Sequence, residues 1–234
     1  MFEYVDLNVE PVFTIVSNHS YTMTESLQLA DPNLVCISPT KADNLLDRVP
    51  HLLIVSDDGL SRKDKVKLAA YIGLIVNEDL LVICLSHDAK NNPLSEYVDT
   101  ICQLPIGGNT CEIFNQIANT LIEAIVLRSF DSTDFSDMHH HFKGTDTTQF
   151  RQSLARGEAG IKLMTDLLPA DDYKTVVIIV KSGLDFTMND YEDILTYIKN
   201  AVPTNCKVMV MVKICEAFKS SRGSLVSVFI NGNH

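Results

Sequence analysis

Five short apolar runs in the first half of the chain restrict its fold more than any other feature: PVFTIV (11–16), NLVCIS (33–38), HLLIVS (51–56), LLVICLS (80–86) and DTICQLP (99–105). Each has the length of a strand, and their near-continuous apolarity leaves no face for water, as in a parallel sheet covered on both sides. Between the third and fourth runs, SRKDKVKLAAYIGLIVNED repeats Val66, Leu68, Ala69, Ile72 and Ile75 at helical spacing, with Ser61 placed to cap the start. Strand, helix, strand in this order implies a right-handed crossover and a doubly wound layer.

A long helix is expected from about 109 to 130, with Ile113, Ile117, Leu121, Ile122 and Ile125 in one stripe and Phe114, Ala118 and Ala124 widening it. A face that broad suits a helix wedged between two layers. The second half has another rhythm. The stretch TTQFRQSLARG follows the polar segment of 130–142. It leads to a helix near 157–168, a strand over 174–183, a helix over 189–201 capped by Asn189 or Asp190, and strands over 206–214 and 224–232. The polar link CEAFKSSRG between the last two strands suits an antiparallel return. The expected division is 1–108 as a reduced Rossmann-like domain, 109–130 as a central helix, and 131–234 as an α+β domain.

Charge narrows the function. Nineteen Lys plus Arg stand against 30 Asp plus Glu, a net charge of −11, and no basic run breaks that balance. Sequence-independent binding to nucleic acid or to an anionic membrane is therefore disfavoured. The acidic start MFEYVDLNVEPVF lacks the pattern of a signal peptide, and no apolar stretch is long enough to span a bilayer. The six cysteines form no Cys-x-x-Cys pair and several sit in apolar runs, which points to buried, reduced thiols in a cytoplasmic protein.

One polar stretch carries the material of a site. FDSTDFSDMHHHF (130–142) sets Asp131, Asp134 and Asp137 beside His139, His140 and His141. Adjacent imidazoles point around a helix and not to one side. Asp137 and His141, four apart, could share a metal ion, but two ligands do not make a metal site. Asp134 ahead of a helix and Asp137 in its first turn also suit capping. Ser17, Ser20 and Ser56 lie at strand ends, yet no nucleophile elbow or positioned His–Asp set accompanies them.

The order of several motifs resembles FtsZ, the bacterial tubulin relative of the division ring. TDFSDM, LARGEA, KSGLDFTMNDYEDILTYIKNAV and a closing strand pair follow the family's sequence of features, and MFEYVDL and VDTICQLP resemble its opening and the strand before its central helix. The matching positions are Asp134 to Asp137, Ala155 to Glu158, Gly183 and Asp185, and Tyr191 with Glu192. The resemblance implies an α/β, tubulin/FtsZ-like fold: a reduced Rossmann-type parallel-sheet domain, a long central helix and an α+β second domain.

The departures are informative. The family holds GTP on glycine-rich loops, where the absence of a Cβ lets backbone N–H groups close on phosphate oxygens. Here SNHSYTMTE, beginning at Ser17 and Asn18, has no glycine, and SDDGLSRKDK keeps only Gly59, with Asp57 and Asp58 placed where a phosphate would sit. After the central helix the family's Asn-x-Asp-x-x-Asp, which reaches the next subunit's nucleotide, corresponds to Ser132, Asp134 and Asp137. The resemblance thus implies a non-enzymatic paralogue, shortened and without a cofactor, that docks on FtsZ or on its own kind and limits filament assembly in bacterial cell division. It would bind neither nucleic acid nor membrane directly. The alternatives are a self-assembling structural protein independent of nucleotide, and a degenerate enzyme that binds another phosphate ligand or a metal near 17–24 or 134–141.

Overall fold

A computed structural model describes residues 12–18, 33–47, 49–105, 109–156, 168, 173–218 and 223–231. The expected helix at 157–168 lies outside the described residues apart from Leu168, as do residues 1–11 and 19–32.

The apolar runs of the first half become β1 (Phe13–Val16), β2 (Leu34–Ile37), β3 (Leu52–Ser56), β4 (Leu81–Ser86) and β5 (Thr100–Gln103), all in parallel register. β3 and β4 are buried along their whole length, as continuous apolarity demands. Helix α1 (Arg62–Ile75) starts at Ser61, whose Oγ accepts the Asp64 N–H at 3.2 Å. Leu68, Ala69, Ile72 and Ile75 face the sheet, while Val66, expected on that stripe, stands 54% exposed. Cys84, Cys102 and Cys215 are buried free thiols, but Cys36 is exposed because β2 is an edge strand.

Helix α2 (Thr110–Val126) begins at Asn109 and ends four residues before the expected 130. Every residue from Ile117 to Ala124 is buried, including the polar Asn119, Thr120 and Glu123, so the helix is covered on all sides. Its apolar face shares one core with Ile54, Ile83 and Cys102 of the first half and with Val177, Met211 and Phe229 of the second. The chain then continues through α3 (Phe135–Phe142), β6 (Thr147–Arg156), β7 (Thr175–Ser182), α4 (Met188–Ala201), β8 (Lys207–Ile214) and β9 (Gly223–Asn231).

One strand is added and two expectations are corrected. TTQFRQSLAR, which shows no strand pattern of its own, is the strand β6; the last two strands run antiparallel as expected but do not pair with each other, because β7 lies between them. β8 lies parallel to β7, because helix α4 carries the chain back across the sheet; β9 inserts antiparallel between β6 and β7. The N-cap of α4 is Thr187, with Asp190 returning the bond to the Thr187 N–H, not Asn189 or Asp190.

The result is one nine-stranded sheet in the order β2-β1-β3-β4-β5-β6-β9-β7-β8. The halves meet at β5 and β6, parallel over Ile101–Thr147, Cys102–Thr148 and Gln103–Gln149. A buried polar chain crosses this seam: the Thr100 and Thr148 hydroxyls lie 2.7 Å apart, and Thr148 also bonds the Asn231 side chain. On the outer face of the second half, α4 closes a separate core, in which Ile194 and Ile198 cover Val176, Ile178, Val180, Val210 and Val228 of the sheet.

Candidate functional site

In a doubly wound sheet, ligands bind beyond the carboxyl ends of the strands where the strand order reverses. Here that point lies between β1 and β3, since β1 leads to β2 on one side and β3 to β4 on the other. The structure brings Asn18, after β1, close to Gly59, after β3. Gly59 takes φ +70°, open to glycine at little cost, and the Asn18 side-chain nitrogen lies 3.7 Å from where a β-carbon on Gly59 would stand.

Asp57, the residue directly after β3, is 2% exposed. Its Oδ2 accepts from Lys65 Nζ at 2.7 Å, Asn92 Nδ2 at 2.8 Å and Ser86 Oγ at 3.0 Å. The ammonium in the first turns of α1 is therefore engaged by a carboxylate of the same chain. Among the described residues, the end of β3 thus carries a neutralised Asp57–Lys65 ion pair. Beside it, the buried Ser56 Oγ has no hydrogen-bond partner among the described residues. Sequence reasoning finds Asp57 but misses Lys65, Ser86 and Asn92. Lys65 is legible as one turn into a capped helix; Ser86 and Asn92 come from the end of β4 and the loop after it, which only the fold brings near.

The second group of expected residues surrounds α3. Asp134 and Asp137 form a capping box: Asp134 Oδ1 accepts the Asp137 N–H, and Asp137 Oδ2 accepts the Asp134 N–H, both at 3.1 Å. Each carboxylate spends one oxygen on the box, and Ser132, Asp134 and Asp137 are all exposed. His141 Nδ1 meets the Asp137 backbone oxygen at 2.9 Å, not its carboxylate.

Asp131, outside the expected docking set, fixes this loop. Its Oδ1 accepts from the Ser129 hydroxyl at 2.8 Å and from the Thr133 N–H at 3.0 Å, and its Oδ2 accepts the Val212 N–H of β8 at 3.1 Å. The Asp-Ser-Thr spacing is the sequence signal for such a turn. Phe130 seats against Phe186 (5.0 Å between centroids) and Tyr191 (5.9 Å). Lys213 sits under the loop, 3% exposed; burial lowers its ammonium pKa, and the Asp131 and Asp134 carboxylates oppose that shift. Nearby, Lys181 pairs with the buried Glu123 of α2.

β3 and β8 stand six strand positions apart, about 29 Å at ~4.8 Å per strand. The Asp57 cluster and the Ser132–Asp137 face are thus brought to separate sites. Among the described residues no group of three or more His, Cys, Asp or Glu side chains is disposed to hold a metal, and no helix is long and apolar enough to cross a membrane.

The fold is the α/β fold of FtsZ and tubulin. An empty FtsZ dimer from M. jannaschii is similar at TM-score 0.66 and 12% identity, over 97% of this chain and 89% of that one. A point mutant of FtsZ from M. jannaschii gives TM-score 0.67 at 12% identity, covering 95% and 91%. CetZ from Methanosaeta thermophila gives TM-score 0.57 at 11% identity, over 83% of this chain and 65% of that one. No family model and no curated protein matches the sequence.

Proposed function

We propose that this chain is a non-enzymatic relative of FtsZ that docks on FtsZ through Ser132, Asp134 and Asp137 and limits filament assembly in bacterial cell division. The observation that carries the reading is the Asp57 carboxylate at the strand-order switch, held by Lys65, Ser86 and Asn92. A phosphate group entering there meets a pair without net charge, because the Lys65 ammonium that would attract it is already engaged by Asp57. The absence of glycine from 17–25 supports the same conclusion. Such a subunit offers a neighbour a loop with two exposed carboxylates and no nucleotide of its own, which ends growth at the point where it adds.

The test is co-sedimentation with the host's FtsZ and GTP, together with GTP turnover. The Asp134→Asn/Asp137→Asn variant is informative because asparagine caps a helix about as well as aspartate, so the charge is lost while α3 is kept. Polymer mass should fall with the wild type and stay unchanged with the variant; equal behaviour of the two proteins would remove the docking face. A thermal shift with Mg-GTP should be absent. A ligand present at about 100 times its Kd adds ~2.7 kcal/mol, so a rise of several degrees would overturn the non-enzymatic reading. The similarity to an FtsZ dimer favours self-association as the second reading, tested by sedimentation of the protein alone across concentration.

A further inference from the structure

β8 closes one end of the sheet, and half of its outer edge is already used by the chain itself. Val212 donates its N–H to Asp131 Oδ2 at 3.1 Å and accepts the Phe130 N–H at 2.8 Å; Ile214 donates to the Arg128 carbonyl at 2.9 Å. Even-numbered residues of β8 therefore turn their backbone groups outward. Odd-numbered ones turn inward, as the Lys207 N–H does to the Lys174 carbonyl at 2.8 Å. By the same alternation Val208 and Val210 present N–H and C=O outward. On that side they have no partner among the described residues: β8 pairs only with β7, plus one bridge between Ser129 and Lys213. No proline or bulge blunts this stretch of edge.

Beside it runs an apolar groove of about 580 Å³, walled by Val208, Val210, Leu195, Ile198, Val202 and Pro203. Val208 and Val210 direct their side chains to this face, with α4, while Lys207 and Met209 face the other way. A strand added at the edge would put alternate residues over the groove and the intervening ones beside Lys207. Lys199 stands at the groove's wall, in the last turn of α4, whose acidic residues lie in its first turns. Neither Lys199 nor Lys207 has a salt bridge among the described residues, in a chain whose net charge is −11.

We propose that the open edge at Val208 and Val210, with the groove beside it, takes an extended segment of another protein as an added strand, apolar toward α4 and acidic toward Lys207. Two outward donor–acceptor sets at strand spacing fit an extended backbone, the apolar wall selects one face of it and the lysine selects the charge of the other. The site lies on the edge that Arg128–Phe130 already pairs in cis, so the partner continues an existing ladder. It does not depend on the docking face at Ser132, Asp134 and Asp137.

The probe is a fluorescein-labelled nine-residue peptide alternating valine and glutamate, read by anisotropy with the full chain. It should bind at least ~10-fold more tightly than the valine–lysine counterpart, a difference of about 1.4 kcal/mol. Lys199→Glu/Lys207→Glu should reverse the preference. The same peptide N-methylated through its interior should lose binding, since its side chains are unchanged and its donors are gone; this control asks nothing of the protein's folding. Hydrogen exchange should show the Val208 and Val210 amides fast in the free protein and slowed by the peptide, with Val212 slow in both. Undiminished binding of the N-methylated peptide would mean that the groove takes apolar groups without the edge. Val208 and Val210 already slow in the free protein, with a dimer in sedimentation, would assign the edge to a second copy. Either result overturns the proposal.

Discussion

One oxygen of Asp57 accepts three donors from α1, the end of β4 and the loop after it. Breaking a buried pair leaves the partner's charge uncompensated, so Asp57→Ala should cost about 3 kcal/mol in denaturant unfolding. Gly183 is constrained by space: a β-carbon there would stand 2.6 Å from the Phe218 carbonyl oxygen, which belongs to backbone and cannot swing aside. Gly183→Ala should destabilise by about 1–3 kcal/mol, while Gly73→Ala, opposed by the movable Tyr97 ring at 2.9 Å, should cost less. Burial pushes the Cys102 thiol from its ordinary 9.0 up to about 12. Between those values the unfolded chain has released a proton that the folded chain keeps, so stability falls as pH rises through that window. Cys102→Ala should flatten this alkaline fall, as followed by the urea midpoint against pH.

At the scale of elements, caps explain most of the boundaries. Ser61, Asn109, Asp134 and Thr187 each accept an N–H of the first turn, and the α3 and α4 caps are reciprocated by Asp137 and Asp190. Asp134→Ala should cost about 1 kcal/mol of stability, and Asp134→Asn much less, measured by thermal unfolding. The first three starts are legible because a polar residue precedes a periodic run; at α4 Thr187 competes with Asn189 and Asp190, and only the structure picks it. β6 is not legible. Its sequence offers Thr148 and Gln152 where a strand normally offers apolar side chains, and it is recruited by hydrogen bonds to β5 and β9 and by polar contacts. Gln152 reaches Ser227 at 2.8 Å and Thr120 at 3.2 Å. The Asp134–Asp137 spacing likewise announces the capping box, whereas the grip of Asp131 on Val212 requires β8 to arrive from 81 residues away.

For the whole molecule, the decisive element is α2, buried on all sides and joining both halves of the sheet in one core. Its polar side carries Glu123, paired with Lys181 of β7. Lys181→Met should destabilise by about 3 kcal/mol by removing the ammonium that the buried carboxylate pairs with. Glu123→Leu/Lys181→Met should recover most of that loss, because a packed apolar pair replaces a desolvated ionic one. Global unfolding in guanidinium chloride reads both variants. By itself, the sequence determined the parallel first half, the wedged helix, the starts of α1, α2 and α3 and the two carboxylates of the α3 loop. Apolar run length, helical period and caps are local signals. Only the tertiary structure decided that β9 enters between β6 and β7, that Asp57 meets Lys65, Ser86 and Asn92, and that half of the β8 edge has no partner among the described residues. Those outcomes depend on which distant strands share hydrogen bonds, and no local pattern encodes that choice.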